Sequence, residues 1–328
     1  MTVQIAIIGL GQIGASIGLA LKARGVNIPI VGHDKDVQAA KEAQRIGAVD
    51  EVKYNLPASV RDAKIVVLAL PFAGIKETLE VIAPDLQEGT LVLDTAPAKA
   101  TVATWAKQLL PQGRYYIGLT PAINAEYLHG TDFGVRSARA DLFEKGLVVV
   151  DAPMGTPENA FNLAMDFVAL FGAMPLLMDT AEADGIFAAM HFLPQLTAAA
   201  LLDATVDKPG WQEARKLAGR PYASATAGLA YHDDIASLRE AVLENRENVV
   251  RLLNSLIVSL IRLRDTIEEN DQKAFAELLE NALQGRMRWF DERLAAEWVK
   301  RETEPIDIPS FSERFFGSAL SEGMKPRK

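Results

Sequence analysis

Three glycines directly behind a short apolar run constrain this chain more than any other feature. Residues 4–8 read as a buried strand, Gly9-Leu10-Gly11-Gln12-Ile13-Gly14 follows at once, and a helical pattern opens near Ala15. In that setting the three glycines serve different ends. Gly9 permits the tight turn, Gly11 lets a pyrophosphate approach the backbone, and Gly14 lets helix and strand pack closely. The unpaired N–H groups and the positive dipole end of the helix then favour phosphate. Asp34 stands about 20 residues past the last glycine, at the end of the second apolar run, where a carboxylate accepts hydrogen bonds from both hydroxyls of an adenosine ribose. The same charge repels a 2′-phosphate, so NAD is expected over NADP, even with His33 and Lys35 as neighbours. Leu70 and Pro71, closing a later strand, are placed to line the far side of the dinucleotide.

The rest of the first half repeats the same alternation. Apolar runs at 28–32, 65–69, 90–94, 115–118, 147–150 and 176–178 alternate with helical patterns at 15–24, 36–46, 75–82, 100–110 and 158–170. Short, nearly uniform apolar strands of this kind belong to a parallel sheet covered on both faces, so the fold class is α/β with an N-terminal Rossmann-type sheet. After Asp179 strand signals stop. Asp179 with Glu182 three residues on marks a helix start. The longest helix is expected over 233–268, where Leu238, Val242, Val249, Leu252, Leu256, Leu260 and Leu263 recur every three or four residues. Leu253, Ile257 and Ile261 widen that stripe beyond what one neighbour covers, which points to a homodimer built on an all-α C-terminal region. Expected boundaries are 1–179 for the dinucleotide domain, 180–290 for the helical dimerisation and substrate domain, and 291–328 for a last helix and tail.

A chain of 328 residues exceeds one ordinary core, and 49% hydrophobic with 23% charged residues describes a globular protein. Its net charge of -9, with Lys and Arg scattered, argues against a nucleic-acid partner. The absence of cysteine fits a reducing cytoplasm, the expected location. His33, His129, His191 and His232 lie far apart, so no metal is expected. The apolar run at 5–10 lacks the basic flank of a signal peptide, and no uninterrupted apolar stretch of 18 residues follows, so no membrane span is expected.

Several local stretches together resemble the prephenate and arogenate dehydrogenase family over about residues 3–290. They are the glycine turn through Ser16, Gly32-His-Asp34-Lys-Asp36, Ala140-Asp-Leu-Phe143, Leu193-Pro194 before an alanine-rich helix, and Leu243-Glu-Asn245-Arg-Glu247. The resemblance implies hydride transfer from the ring hydroxyl carbon of prephenate or arogenate to a nicotinamide, with loss of the ring carboxylate, on the route to tyrosine. It also implies three polar groups that this chain replaces. The family's His-Pro-Met-Ala-Gly histidine, which draws off the hydroxyl proton, falls on Thr120 of Thr120-Pro121-Ala-Ile-Asn124. The serine of Asp-x-x-Ser-x-Lys falls on Pro97, leaving Asp94 and Lys99, and the substrate-carboxylate arginine falls near Ala227.

A threonine hydroxyl does not take a proton at neutral pH as an imidazole near pKa 6.5 does. The groups that remain as candidates are Thr120, Asn124, His129 and His191, with Glu126 beside them. Each has a plainer reading: His191 as an interior histidine, His129 and Glu126 as loop surface, Lys99 as a helix-face lysine, Arg220 as an exposed helix-end charge. Two other functions stay open, a dehydrogenase for a different small substrate and a non-catalytic dinucleotide-binding regulatory dimer.

Overall fold

The computed structural model describes residues 4–130, 132–229 and 234–298. Its first half alternates β1 (Gln4–Ile8), α1 (Gln12–Ala23), β2 (Ile30–His33), α2 (Val37–Arg45), β3 (Glu51–Val52), α3 (Leu56–Val60), β4 (Ala63–Leu68), α4 (Phe72–Ile82), β5 (Leu91–Asp94), α5 (Lys99–Leu109), β6 (Tyr115–Ala122), β7 (Leu147–Asp151), α6 (Glu158–Leu170) and β8 (Met174–Leu177). The strands form one sheet in the order β3-β2-β1-β4-β5-β6-β7-β8. β1, β4 and β5 are buried at nearly every position, as uniformly apolar strands between two helical layers must be.

A fully parallel sheet is not what forms. β6 and β7 run antiparallel, with Gly118 opposite Asp151 and Ala122 opposite Leu147. The connection between them, 123–146, contains only short 3-10 turns, at Ala125–Tyr127 and Gly134–Ser137. Without a crossover helix the chain returns alongside itself, which is the antiparallel solution. That loop folds back over the N-terminal end of α1, where the Arg139 N–H donates to Ser16 Oγ at 2.9 Å.

The second half is helical: α7 (Thr180–Phe187), α8 (Leu193–Thr205), α9 (Trp211–Leu217), α10 (Arg220–Thr226), α11 (Ile235–Glu244), α12 (Arg246–Glu268) and α13 (Gln272–Ala295). Asp179 caps α7 by accepting the Glu182 N–H at 2.9 Å. Arg220 opens α10 exposed to solvent. The helix expected from Asp233 to Glu268 is broken, although its apolar period runs on. Asn245 leaves helical geometry between α11 and α12, and its amide donates to the Asp184 carbonyl at 2.8 Å. The expected start at Asp233, the fourth histidine, His232, and the tail from 299 lie outside the described residues.

The helical half docks on the α4/α5 face of the sheet. Ala188, Phe192, Leu238, Ala241 and Val249 join one core with Val66, Leu68, Phe72, Leu79 and Val102. Phe192, 1% exposed, contributes about 1.5–3 kcal/mol by that burial. One helical stretch, Thr180–Thr205, is long and apolar enough by length and composition alone to cross a membrane, although polar residues such as Glu182, Asp184, His191 and Gln195 interrupt it. Its Ala188 and Phe192 are buried within this packing, and Ala183 and Ala198 are buried as well.

Candidate active site

The glycine turn forms as its sequence requires. Gly9 has φ +92°, and a Cβ there would lie 2.2 Å from the Ala69 carbonyl oxygen and 3.0 Å from a Leu70 methyl. Gly14 is packed as tightly: a Cβ would sit 1.9 Å from the Gly9 carbonyl oxygen. At Gly11 the space where a Cβ would stand is open, with nothing within 4 Å, at the N-cap of α1. Gln12 and Ile13 begin the helix, so their N–H groups are among those without intrahelical partners. This combination, two crowded glycines around one open approach, fits a dinucleotide phosphate group.

Asp34 faces the same turn. Its Oδ2 accepts the Leu10 N–H at 2.7 Å and its Oδ1 accepts the Asp36 N–H at 2.8 Å. A carboxylate has about four acceptor positions, so two remain for ribose hydroxyls. Beside Gly9, Leu70 is half-buried, and the exposed Pro71 is the N-cap residue of α4.

Thr120, Asn124, His129 and His191 have separate local roles in the structure. Thr120 lies on β6 and its Oγ1 donates to the Ala96 carbonyl at 2.9 Å. Asn124 is buried and caps the 3-10 turn at Ala125–Tyr127, its Oδ1 accepting the Glu126 N–H at 3.1 Å. The exposed His129 ring packs on Phe290 of α13, with centroids 5.6 Å apart. His191 is exposed rather than interior, on a π-helical turn at Ala188–Phe192 that links α7 to α8. Such turns recur at functional sites. The loop that carries Asn124 and His129 is clamped by α13, whose half-buried Arg293 donates to the Ile123 carbonyl.

Lys99 is not a helix-face lysine. It is fully buried, with Nζ 3.0 Å and 3.1 Å from the two Asp94 carboxylate oxygens and 3.1 Å from the Asp94 carbonyl. Tyr116 donates to the same carboxylate at 2.6 Å. Asp184 of α7 accepts the Lys99 and Ala100 N–H groups at 2.6 Å and 3.1 Å, capping α5 from the helical half. Asp151 accepts from Thr180 at 2.9 Å. Burial pulls the Lys99 ammonium below its ordinary pKa, with Asp94 opposing the shift, and burial raises the Asp151 and Asp184 carboxyls. The network fixes the 94–99 loop whose Ala96 carbonyl holds Thr120. Sequence reasoning missed Asp184, Asp151 and Tyr116, because nothing local to each marks a partner so distant along the chain.

The profile of one family, described as prephenate dehydrogenase, nucleotide-binding domain, matches residues 17–176. Prephenate dehydrogenase of Bacillus subtilis is 24% identical over 269 residues, 81% of this chain and 71% of that protein. Cyclohexadienyl dehydrogenase of Zymomonas mobilis is 25% identical over 87% of this chain and 95% of its own length. Together these matches support the prephenate and arogenate dehydrogenase family for this chain. Its fold is likewise that of the prephenate dehydrogenase of Aquifex aeolicus, solved with hydroxyphenyl propionate and NAD+, at TM-score 0.76 and 22% identity over 88% of this chain and 98% of that one. The arogenate dehydrogenase of Synechocystis follows at TM-score 0.68, 23% identity, 87% and 99%.

The three positions at which the resemblance implies other polar groups are all in place in the fold. Thr120 and Pro97 are half-buried on neighbouring stretches of the sheet end, and Ala227 is half-buried just after α10. The Asp94 and Lys99 that flank Pro97 are retained as a buried ion pair.

Proposed function

We propose that this oxidoreductase uses NAD to oxidise prephenate or arogenate, in the step toward tyrosine that those substrates imply. The observation that carries the reading is the glycine turn with Asp34 hydrogen-bonded to Leu10, on a chain that pairs with 95% of the length of a cyclohexadienyl dehydrogenase. When bound, the nicotinamide accepts a hydride from the ring hydroxyl carbon. The chain's own part is to hold the phosphates on the α1 N-terminus and the adenosine ribose on Asp34, which disfavours a 2′-phosphate and so selects NAD over NADP. Thr120, Asn124, His129 and His191 are the polar groups we place around the substrate. Thr120 Oγ1, with its proton given to Ala96, can accept a hydrogen bond from the ring hydroxyl and orient it, but it cannot take the proton at neutral pH.

The direct test is the rise of NADH absorbance with NAD and either substrate. Turnover is expected to be slow, and Thr120→His is expected to raise prephenate oxidation by about 100-fold or more, the usual contribution of a positioned base. The gain should grow as pH rises through about 6.5, where the imidazole loses its proton. A Thr120→His enzyme no faster than wild type, with prephenate still bound, would place the defect elsewhere. A non-catalytic regulatory dimer and a dehydrogenase for another substrate are both less well supported, since the full-length relatives are named for one reaction class.

We also propose a homodimer, a cytoplasmic location and a division of labour at about residue 179. The dimer is supported by exposed apolar side chains along α12 and α13: Val258, Leu260 and Ile261 on the first, Leu283, Met287 and Trp289 on the second. Sedimentation equilibrium should give twice the 35.6 kDa chain mass, and a single-chain mass at micromolar protein would reject it.

A further inference from the structure

The arginine that this family uses for a substrate carboxylate has no counterpart at Ala227, yet a guanidinium lines a cleft beside the glycine turn. The cleft, about 280 Å³, is bounded by Gln12 of the turn, by Ser137 and Arg139, and by Ile123, Tyr127 and Asp132 on the loop that follows β6. Its walls are tied to the dinucleotide helix. Gln12 Nε2 donates to the Ser137 carbonyl at 3.4 Å, and the Arg139 N–H donates to Ser16 Oγ at 2.9 Å. Arg139 is thereby seated about one turn below the α1 N-terminus.

Three cations of the dinucleotide half are already committed. Lys22 pairs with Asp50, Arg24 with Glu144 and Arg45 with Glu42. No described residue forms an ion pair with the Arg139 guanidinium. Asp141 is committed to the Tyr127 hydroxyl at 2.8 Å, and the exposed Asp132, though it lines the cleft, does not pair with Arg139. A guanidinium with no ion pair among the described residues, on a residue that lines the same cleft as Gln12 of the glycine turn, is placed to take an oxyanion in two parallel hydrogen bonds.

We propose that Arg139 is the anion-binding residue of this cleft and holds an oxyanion of the bound ligands, either the dinucleotide pyrophosphate or a substrate carboxylate. The proposal rests on the dehydrogenase reading for the position of those ligands. Arg139→Gln and Arg139→Lys are compared with wild type by fluorescence titration with NAD, ADP-ribose and adenosine, and by calorimetric titration of the NAD complex with prephenate.

Arg139→Gln is expected to weaken at least one anion at least tenfold while adenosine binding and Tm stay unchanged, and Arg139→Lys recovers only part of the loss. Weaker NAD and ADP-ribose binding identifies the pyrophosphate, and weaker prephenate binding alone identifies the carboxylate. Constants for both ligands within twofold of wild type would overturn the proposal. A wild-type protein that binds no NAD would instead sink the dehydrogenase reading itself, which separates the two failures.

Discussion

Two alanine substitutions three residues apart in the glycine turn should fail in opposite ways. Gly14→Ala is expected to lose about 3 kcal/mol or more of stability, because its Cβ would stand 1.9 Å from the Gly9 carbonyl oxygen and 3.2 Å from the Ala69 Cβ. No rotamer change relieves a Cβ against backbone, so α1 must move off β1. A Tm fall of about 6–12 °C follows for a domain of this size. Gly11→Ala meets no atom within 4 Å and has an ordinary φ of -72°, so the fold tolerates it and Tm stays within a degree or two. The methyl instead occupies the open approach to the α1 N–H groups, and NAD affinity should drop by about tenfold or more. Differential scanning fluorimetry and NAD titration of both variants check this. If Gly11→Ala binds NAD as wild type does, the pyrophosphate does not lie over the turn.

How far the sequence carries depends on whether the information is local. The turn and the Asp179 cap are legible because their residues lie within a few positions of one another, and Asp34 because it closes the next strand at a fixed distance from the glycines. β3 escapes notice because a two-residue edge strand, Glu51–Val52, has no apolar run to show. The reversal of β7 is invisible for a different reason: Leu147 to Val150 is uniformly apolar, with Val148 to Val150 buried, and reads the same in either direction. Asn245 sits within an unbroken apolar period, and only its bond to the Asp184 carbonyl reveals why the helix divides there. The site divides in the same manner. Its cofactor end is written in consecutive residues, whereas Arg139 and Arg293 reach it through the 123–146 loop and α13, a juxtaposition that spacing does not encode.

Lys99→Met should be among the most damaging single changes, with a loss of about 3–5 kcal/mol, the usual result of removing one partner from a buried ion pair. Both Lys99 and Asp94 are fully buried, and the lysine stem packs against β6, where a Cβ on Gly118 would come within 2.8 Å of Lys99 Cδ. Methionine fills that volume but leaves Asp94 with only the Tyr116 hydroxyl and the Ala96 N–H, while Asp151 and Asp184 add negative charge nearby. The pH dependence follows from linkage. Burial already raises the Asp151 and Asp184 carboxyls against the opposing charge of Lys99, so without that lysine the native state of the variant takes up protons more readily than wild type as pH falls. The deficit against wild type should therefore be largest near neutrality and shrink toward pH 5. Adding Asp94→Asn to Lys99→Met removes the orphaned charge and should recover part of the loss at neutral pH. Urea midpoints across that pH range measure both effects. A deficit that does not change with pH, or a double variant no better than the single one, would mean that the lysine acts there by packing alone and that its charge does not hold the 94–99 loop in place.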